Sequence, residues 1–302
     1  MINKRKSTFK AIYQIFSEAL FMEQTLQSNP LKQYFRQFKL YLKLPSGIGY
    51  YTQDQVQFTD SGEIGVMPMT GKDELSLKNP DALLNGEALI EVIKSCVPGV
   101  KNPRVLLTND IDALITAIRF ATFNDSLETT LHCPKCSSEN TFKLDLQYAL
   151  DNMEFLDPEY VVNLDSGVSV YVRPHSFPDL LKGLHMQFEQ SKISRSLDSE
   201  TLSDEERSAI FGKAFREMSI ITYNLMLNSV IKVVDDSNNI NVTNKEHIKE
   251  FLFNIDNKSS DKISNLITEI NKIGIKRTFV AKCDKCEHTW ENDIDFNPVN
   301  FS

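Results

Sequence analysis

Residues 127–146 read LETTLHCPKCSSENTFKLDL, and residues 276–296 read KRTFVAKCDKCEHTWENDIDF. Each stretch places a CxxC pair between two segments that alternate in polarity or are rich in Thr and aromatic residues. Such flanks are typical of short β-strands. A CxxC turn between two strands directs both thiolates toward one point, about 2.3 Å from a metal ion. Each stretch therefore predicts a zinc knuckle.

One knuckle supplies two ligands, whereas a closed structural zinc site needs four. The two pairs have matching form, with Lys135 and Lys285 before the second cysteine and the aromatic residues Phe142 and Trp290 downstream. The pairs are separated by the 146 residues 137–282. We therefore expect a split zinc ribbon around an inserted domain, with one structural Zn²⁺ ion bound by four residues: Cys133, Cys136, Cys283 and Cys286.

Other uses of these cysteines stay open at this point. Each pair can remain reduced without metal, or act in redox chemistry. A redox role is disfavoured. Thioredoxin-like CxxC pairs lie at the start of a helix, whose N-terminus lowers the pKa of the thiol, whereas a strand is predicted after Cys136. His132 and His288 adjoin the cysteines, but four thiolates complete a site without them. The fifth cysteine, Cys96, lies in the apolar run ALIEVIKSCV and is expected to be a small buried residue.

Motifs for catalysis are not found. A catalytic zinc ion needs an open coordination position, and the HxE motif of zinc deaminases is absent upstream of HCPKC. The patterns GxxxxGK[ST], GxGxxG, GxSxG and HExxH are also absent. His175 is a lone histidine, which is most often structural. We expect a protein that is not an enzyme.

Composition places the chain among ordinary globular proteins. Its 302 residues are 41% hydrophobic and 25% charged, and the formal net charge is -8. An acidic field repels nucleic-acid phosphates and anionic headgroups. The basic N-terminus lacks the uninterrupted apolar run and cleavage pattern of a signal peptide, and no run of about 18 apolar residues occurs. We expect a protein of a reducing cytoplasm that binds neither nucleic acid nor membrane.

Periodicity predicts an α+β fold, mainly helical with short antiparallel hairpins. We expect four parts: an N-terminal helical segment (1–45), an α+β region with the first knuckle (46–150), a mainly helical insertion (151–275), and the second knuckle with a C-terminal tail (276–302). The runs QVQFTD (55–60) and GEIGVMPM (62–69) predict a β-hairpin, GVSVYVR (167–173) a strand, and DDSNNINVTN (235–244) a surface loop. Apolar periodicity predicts helices at 8–26, 73–78, 86–97, 110–123, 177–190, 204–225, 248–255 and 263–273.

Five segments of the sequence form a recognisable set: LPSGIGYY (44–51), PMTGKDELSLKNPDALLNGEALIEVIKSCVPGV (68–100), DIDALITAIRFATF (110–123), HCPKC (132–136) and the terminal NPVNF (297–301). Together they resemble the baseplate hub and hub-assembly proteins of T-even type contractile-tailed phages. The resemblance is dense in the first half of the chain and sparse near the C-terminus. Residues 155–275 show no motif that matches.

The resemblance implies a non-enzymatic component of the baseplate hub, or a chaperone that assembles it, with other hub proteins as partners. It also implies a location in the host cytoplasm during assembly, or in the baseplate of the virion tail. The alternative function is a zinc-ribbon factor that binds nucleic acid, which the acidic charge disfavours. The oligomeric state is left open.

Overall fold

The computed structural model describes residues 29–79, 82, 85–123, 127–186, 203–276 and 278–293. Contacts divide the chain into two compact units, residues 1–37 and residues 38–302. In the first unit, a short 3₁₀ helix at Pro30–Tyr34 follows Asn29, whose side chain accepts a hydrogen bond from the Leu31 amide. The helix predicted at 8–26 and the C-terminal tail from residue 294 lie outside the described residues. The finer division predicted at residues 150 and 275 stays a prediction.

The second unit begins with a small layer of strands and helices. In chain order its elements are β1 (Leu40–Leu42), β2 (Ile64–Val66), α1 (Gly71–Leu77), α2 (Glu87–Cys96), a 3₁₀ turn (Pro103–Val105) and α3 (Thr108–Phe123). Thr70 begins α1 through a capping box with Asp73, in which each side chain bonds the other residue's amide. The helices predicted over this stretch are confirmed.

The hairpin predicted from residues 55–69 is wrong in its pairing. A turn does form, with the Thr59 amide 2.9 Å from the Glu63 carbonyl, but β2 pairs antiparallel with β1. The preceding run instead bonds to residues 99–102, through a bridge between Val56 and Val100. Gly99 permits this approach, because a Cβ there would lie 2.7 Å from the Gln57 carbonyl oxygen. Alternating polarity identifies strands but not their partners.

The first hydrophobic core surrounds α3, as its periodicity predicts. Ile111 and Leu114 are fully buried and Ile118 nearly so. The core also takes in side chains from β1, β2 and α2, and Cys96 is among them, buried as expected. Burial on this scale is the main stabilising contribution to a domain of this size.

Next comes the first cysteine hairpin, formed by β3 (Leu127–His132) and β4 (Glu139–Leu144), which is followed by the short helix α4 (Leu146–Asp151). Leu127 and Leu146 are buried in the first core, so both ends of the hairpin are anchored there. The CxxC loop lies at the opposite end of its two strands. The predicted strand, CxxC, strand arrangement is confirmed.

The elements that follow are, in chain order, β5 (Tyr160–Asn163), β6 (Ser169–Val172), α5 (177–186), α6 (Asp204–Ser229), β7 (Val230–Asp235), β8 (Ile240–Val242), α7 (Lys245–Asn254) and α8 (Asn257–Ile270). The four strands form an antiparallel sheet of order β5-β6-β7-β8, which builds a second core together with α6, α7 and α8. Helix α5 packs on the first core instead, through Phe177, Leu180 and Leu181. Strand β6 and the helices α6, α7 and α8 confirm the predictions made for them.

Three strands of this sheet were not expected. The loop predicted at 235–244 is wrong in part, because β8 lies within it and pairs with β7. Strand β7 was missed because it follows α6 directly, from Ser229 to Val230, with no Gly or Pro at the junction. A helix and a strand that meet without a breaker residue leave no local signal for the change.

Two asparagines join the two cores. The Asn109 side chain donates hydrogen bonds to the carbonyls of Ile270 and Ile273, at 2.9 and 2.6 Å. The Asn271 side chain accepts from the His175 amide at 2.8 Å. Asn109 is almost completely buried. These bonds satisfy backbone groups at the end of α8 and fix that helix against α3.

The last described element is the second cysteine hairpin, β9 (Thr278–Lys282) and β10 (Thr289–Asp293). The chain therefore has the α+β architecture that was predicted, with helices and several small antiparallel sheets. Among the helices that the structure describes, none combines the length and the apolar character required to cross a bilayer.

Candidate metal centre

The first cysteine loop is held by two backbone hydrogen bonds. The Cys133 amide donates to the Ser138 carbonyl at 2.9 Å, and the Ser137 amide donates back to the Cys133 carbonyl at 2.8 Å. Ser137 has a φ of 55°. This left-handed residue turns the chain so that it enters β4 opposite His132, whose partner is Glu139. The turn directs both thiols to the same side of the loop.

The second loop has the same geometry. The Cys283 amide donates to the His288 carbonyl at 2.9 Å, and the Glu287 amide donates to the Cys283 carbonyl at 2.9 Å. Glu287 has a φ of 57°. Each residue of the second hairpin carries the number of its counterpart plus 150, as Cys133 and Cys283 do, and the strand registers match on this basis. The two knuckles are a pseudo-symmetric pair.

The structure brings all four predicted cysteines together. The Sγ atoms of Cys133 and Cys286 are 3.6 Å apart, and so are those of Cys136 and Cys283. The four sulfur atoms lie within 4.8 Å of one another. Thiolates at about 2.3 Å from a central zinc ion stand about 3.8 Å apart in a regular tetrahedron. The donor set and its spacing therefore fit a tetrahedral metal ion, and zinc is the common ion for four thiolates.

The thiols are unequal in environment. Cys133 and Cys283 are buried, whereas Cys136 and Cys286 are partly exposed. A hydrogen bond from the Ser138 hydroxyl lowers the pKa of Cys283 to about 5. For Cys286, the pKa is raised to about 12: a backbone contact with His288 lowers it, but desolvation and the neighbouring thiols outweigh that contact. Sulfur atoms this close can all be thiolates only beside a cation.

Four protein ligands leave no open coordination position on a tetrahedral ion. A bound ion would be shielded by the two hairpins and would hold no water that can attack a substrate. The arrangement is suited to cross-linking the two cysteine loops. A metal ion here would join residues 133–136 to residues 283–286 and so link the loops of the two hairpins.

Aromatic rings complete the contact between the hairpins. Phe142 on β4 has its ring 5.6 Å from that of Phe279 on β9 and 5.9 Å from that of Trp290 on β10. Phe142 and Trp290 were expected to be equivalent features of the two knuckles. They are not equivalent positions, and instead they contact each other across the interface in an edge-to-face geometry.

The histidines that drew attention in the sequence lie outside the sulfur cluster. The His288 ring stacks on Trp290 at 6.1 Å, and His132 is exposed. His175 has its Nδ1 atom 2.9 Å from the hydroxyl of the buried Ser229, a structural contact at the base of β7. Its partial burial lowers its pKa.

Two polar residues beside the cysteines were missed by the sequence analysis. Ser138 has its Oγ atom 3.0 Å from Cys136 Sγ and 3.1 Å from Cys283 Sγ. Asn140 is buried, and its side chain accepts a hydrogen bond from the Asp284 amide at 2.9 Å. Serine and asparagine are common near turns, so neither position stood out before the second hairpin was placed.

Comparison with known proteins identifies the protein family of this chain. The model of one protein family, described as T4 bacteriophage base plate protein, matches residues 26–301. This chain belongs to that family. No curated protein and no solved structure shows a significant match. The matched range covers both cysteine hairpins and the region between them. It includes all of the second unit except residue 302.

Membership in the base plate family confirms the resemblance to proteins of T4-type phages. It indicates a structural role in association with the baseplate, contacts with other structural proteins of the phage, and a place in the virion tail. Four cysteines that could fill every position of a tetrahedral ion are in keeping with a structural family of this kind.

Proposed function

We propose that this base plate protein is a component of the baseplate hub or a chaperone that assembles the hub, and that it acts by binding other hub proteins without catalysis. The proposal rests on the family match over residues 26–301. The protein would act in the host cytoplasm during assembly and, as a hub component, would remain in the tail baseplate of the virion.

We also propose that one structural Zn²⁺ ion is bound by the four cysteines, as the two halves of a split zinc ribbon. Support comes from the two sulfur contacts of 3.6 Å that cross between the hairpins. An isolated two-stranded hairpin is marginally stable in water, and each of these sheets has only two strands. A metal ion that joins the two hairpins would hold them in one fixed arrangement for binding other proteins.

A long exposed helix supports the binding role. Helix α6 has 26 residues and is therefore about 39 Å long. Between Ser208 and Thr222, Ala214 alone is buried among the residues whose exposure is described. Phe211 and Phe215 are each 60% exposed and lie on one face of the helix, one turn apart. Exposed aromatic pairs of this kind are typical of protein contact sites.

Mass spectrometry tests the hub role directly. Purified phage particles and purified baseplate intermediates are digested, and peptides of this chain are counted in each. Presence in both supports a hub component, and presence only in intermediates supports an assembly chaperone. Absence from both, together with a pull-down from infected cells that recovers no hub protein, would overturn the proposal.

A double variant tests the surface of α6. Phe211→Ala with Phe215→Ala keeps good helix formers in place, so we expect the free energy of unfolding to change by less than about 1 kcal/mol. Recovery of identified hub proteins in the pull-down should fall by about tenfold or more, because exposed aromatic residues at interfaces contribute about 2 kcal/mol each. Tyr148→Ala is the matched control, since Tyr148 is 66% exposed on α4. Equal recovery from both variants would exclude α6 as the contact surface.

Metal analysis of the purified protein tests the zinc site. One equivalent of zinc per chain supports a shared centre of four cysteines. Two equivalents would show that each knuckle binds an ion of its own with two thiolates, which would exclude the shared centre, and no bound metal would exclude a metal site altogether. The result is independent of the pull-down, so the zinc site and the hub role can fail separately.

A further inference from the structure

The two knuckles have the same backbone but different side chains where the hairpins meet. In the first hairpin, Ser138 and Asn140 contact groups of the second hairpin. Their counterparts, shifted by 150 positions, are His288 and Trp290, whose rings stack on each other. Among these four side chains, the two of the first hairpin make polar contacts with the second hairpin, whereas their counterparts pack against each other.

The Ser138 hydroxyl lies between two sulfur atoms from different hairpins. Its oxygen is 3.0 Å from Cys136 Sγ and 3.1 Å from Cys283 Sγ. Metal-bound cysteines are thiolates and carry no proton, so in the loaded centre the hydroxyl must be the donor. A hydrogen bond to a thiolate is charge-assisted and withdraws electron density from the sulfur. Ser138 can therefore tune the metal–sulfur bonds and hold the two ligands together.

Asn140 holds the second loop through its backbone. It is 4% exposed, donates to the Ser138 carbonyl at 2.8 Å, and accepts from the Asp284 amide at 2.9 Å. Asp284 follows Cys283 directly, so this bond sets where Cys283 stands relative to Cys136. Both ends of the amide are satisfied, as a buried polar group requires.

We propose that Ser138 and Asn140 are positioning residues of the metal centre, with the one hydroxyl proton of Ser138 shared between the thiolates of Cys136 and Cys283. The inference rests on the zinc site proposed above. Residues that orient metal ligands in this way typically change metal affinity about 10- to 100-fold when they are replaced. The position of two cysteines far apart in the sequence thus depends on a serine and an asparagine of the first hairpin.

Cobalt substitution of the full chain tests this assignment, because Co²⁺ bound by thiolates gives sulfur-to-metal charge-transfer bands. Ser138→Ala should keep one Co²⁺ per chain but move these bands to lower energy, since a thiolate without its hydrogen bond is a better electron donor. Competition with a chelator should show a loss of affinity of about tenfold or more for Ser138→Ala and for Asn140→Ala. Ser138→Thr restores the hydroxyl and should restore both the bands and the affinity.

His288→Ala is the matched control, because His288 is the counterpart of Ser138 and its ring lies away from the sulfur atoms. We expect its cobalt bands to be unchanged and its affinity to stay within about twofold of the wild type. Wild-type bands and affinity in Ser138→Ala would overturn the positioning role while leaving the metal site intact. A wild-type chain that takes up no Co²⁺ and no zinc would overturn the metal site and this inference together.

Discussion

The sulfur atoms of Cys133 and Cys286 lie 3.6 Å apart, although the two residues are 153 positions apart in the chain. Cys136 and Cys283 form the second contact of the same length. Both contacts cross between the hairpins. A metal ion at their centre would therefore cross-link the middle of the chain to the second hairpin, and the whole second core would lie in the loop that it closes.

Replacement of one ligand should release the metal ion. We expect Cys283→Ser to lose the bound zinc and to lower the free energy of unfolding by several kcal/mol, because structural zinc contributes its binding energy to folding. Denaturant unfolding and metal analysis of the purified variant measure both effects. Cys96→Ala is the control, since Cys96 lies in the first core and should leave one zinc per chain. An unchanged melting temperature in Cys283→Ser would refute the structural role.

Removal of the metal ion should loosen the hairpins and spare the cores. With a strong chelator, or at a pH low enough to protonate the thiolates, we expect faster hydrogen exchange at the amides of Cys133 and Cys283, which are bonded within the loops. Amides of α3 should stay protected, because that helix is buried by its own contacts. Hydrogen exchange followed by mass spectrometry resolves the two regions. Equal loss of protection in both would contradict a local clamp.

A buried carboxyl group should make stability depend on pH. Asp110 is fully buried, its oxygens accept hydrogen bonds from the Tyr51 hydroxyl and the Ser46 amide, and burial raises its pKa to about 6. In the unfolded chain its pKa is about 3.9. The folded state thus binds the proton more tightly, so the stabilisation is complete below about pH 4 and is lost as the pH rises through about 6.

Asp110→Asn should remove this dependence. Between pH 4 and pH 7 the wild type should lose roughly 2 kcal/mol more of its unfolding free energy than the variant does. Urea unfolding at the two pH values gives the difference. Asp165→Asn is the control: Lys258 and Lys262 lower the pKa of Asp165 to about 2, so its titration falls outside this window. Parallel pH profiles for wild type and Asp110→Asn would show that Asp110 titrates normally.

The junction between the two cores should depend on Asn109. Asn109→Ala leaves the carbonyls of Ile270 and Ile273 without this donor, and each buried polar group that loses its partner costs about 1–3 kcal/mol. We expect a loss of about 2–5 kcal/mol in chemical denaturation. In Asn152→Ala, an exposed asparagine that bonds the Tyr148 carbonyl is removed, which should cost less than about 1 kcal/mol. Equal losses in both variants would contradict the role of the junction.

Much of the architecture could be predicted because it is encoded locally. Helix α3 has its apolar residues at helical spacing, and they are the residues that the core buries. Strand β7 could not be predicted, because the chain passes from α6 into it without a breaker residue, and its partners β6 and β8 decide that it is a strand. The pairing of β1 with β2 likewise depends on contacts between segments that are distant in sequence.

The sequence by itself determined the two knuckles. A CxxC turn between strands is set by a few adjacent residues, and both loops have the same backbone hydrogen bonds and a left-handed residue at the same position. Tertiary structure alone decided that the four thiols meet, since the 146 residues between the pairs include the second core, and the fold of that region brings the second hairpin back to the first. It also decided that Ser138 and Asn140 face the second loop, because a side chain has no partner until the other hairpin is in place.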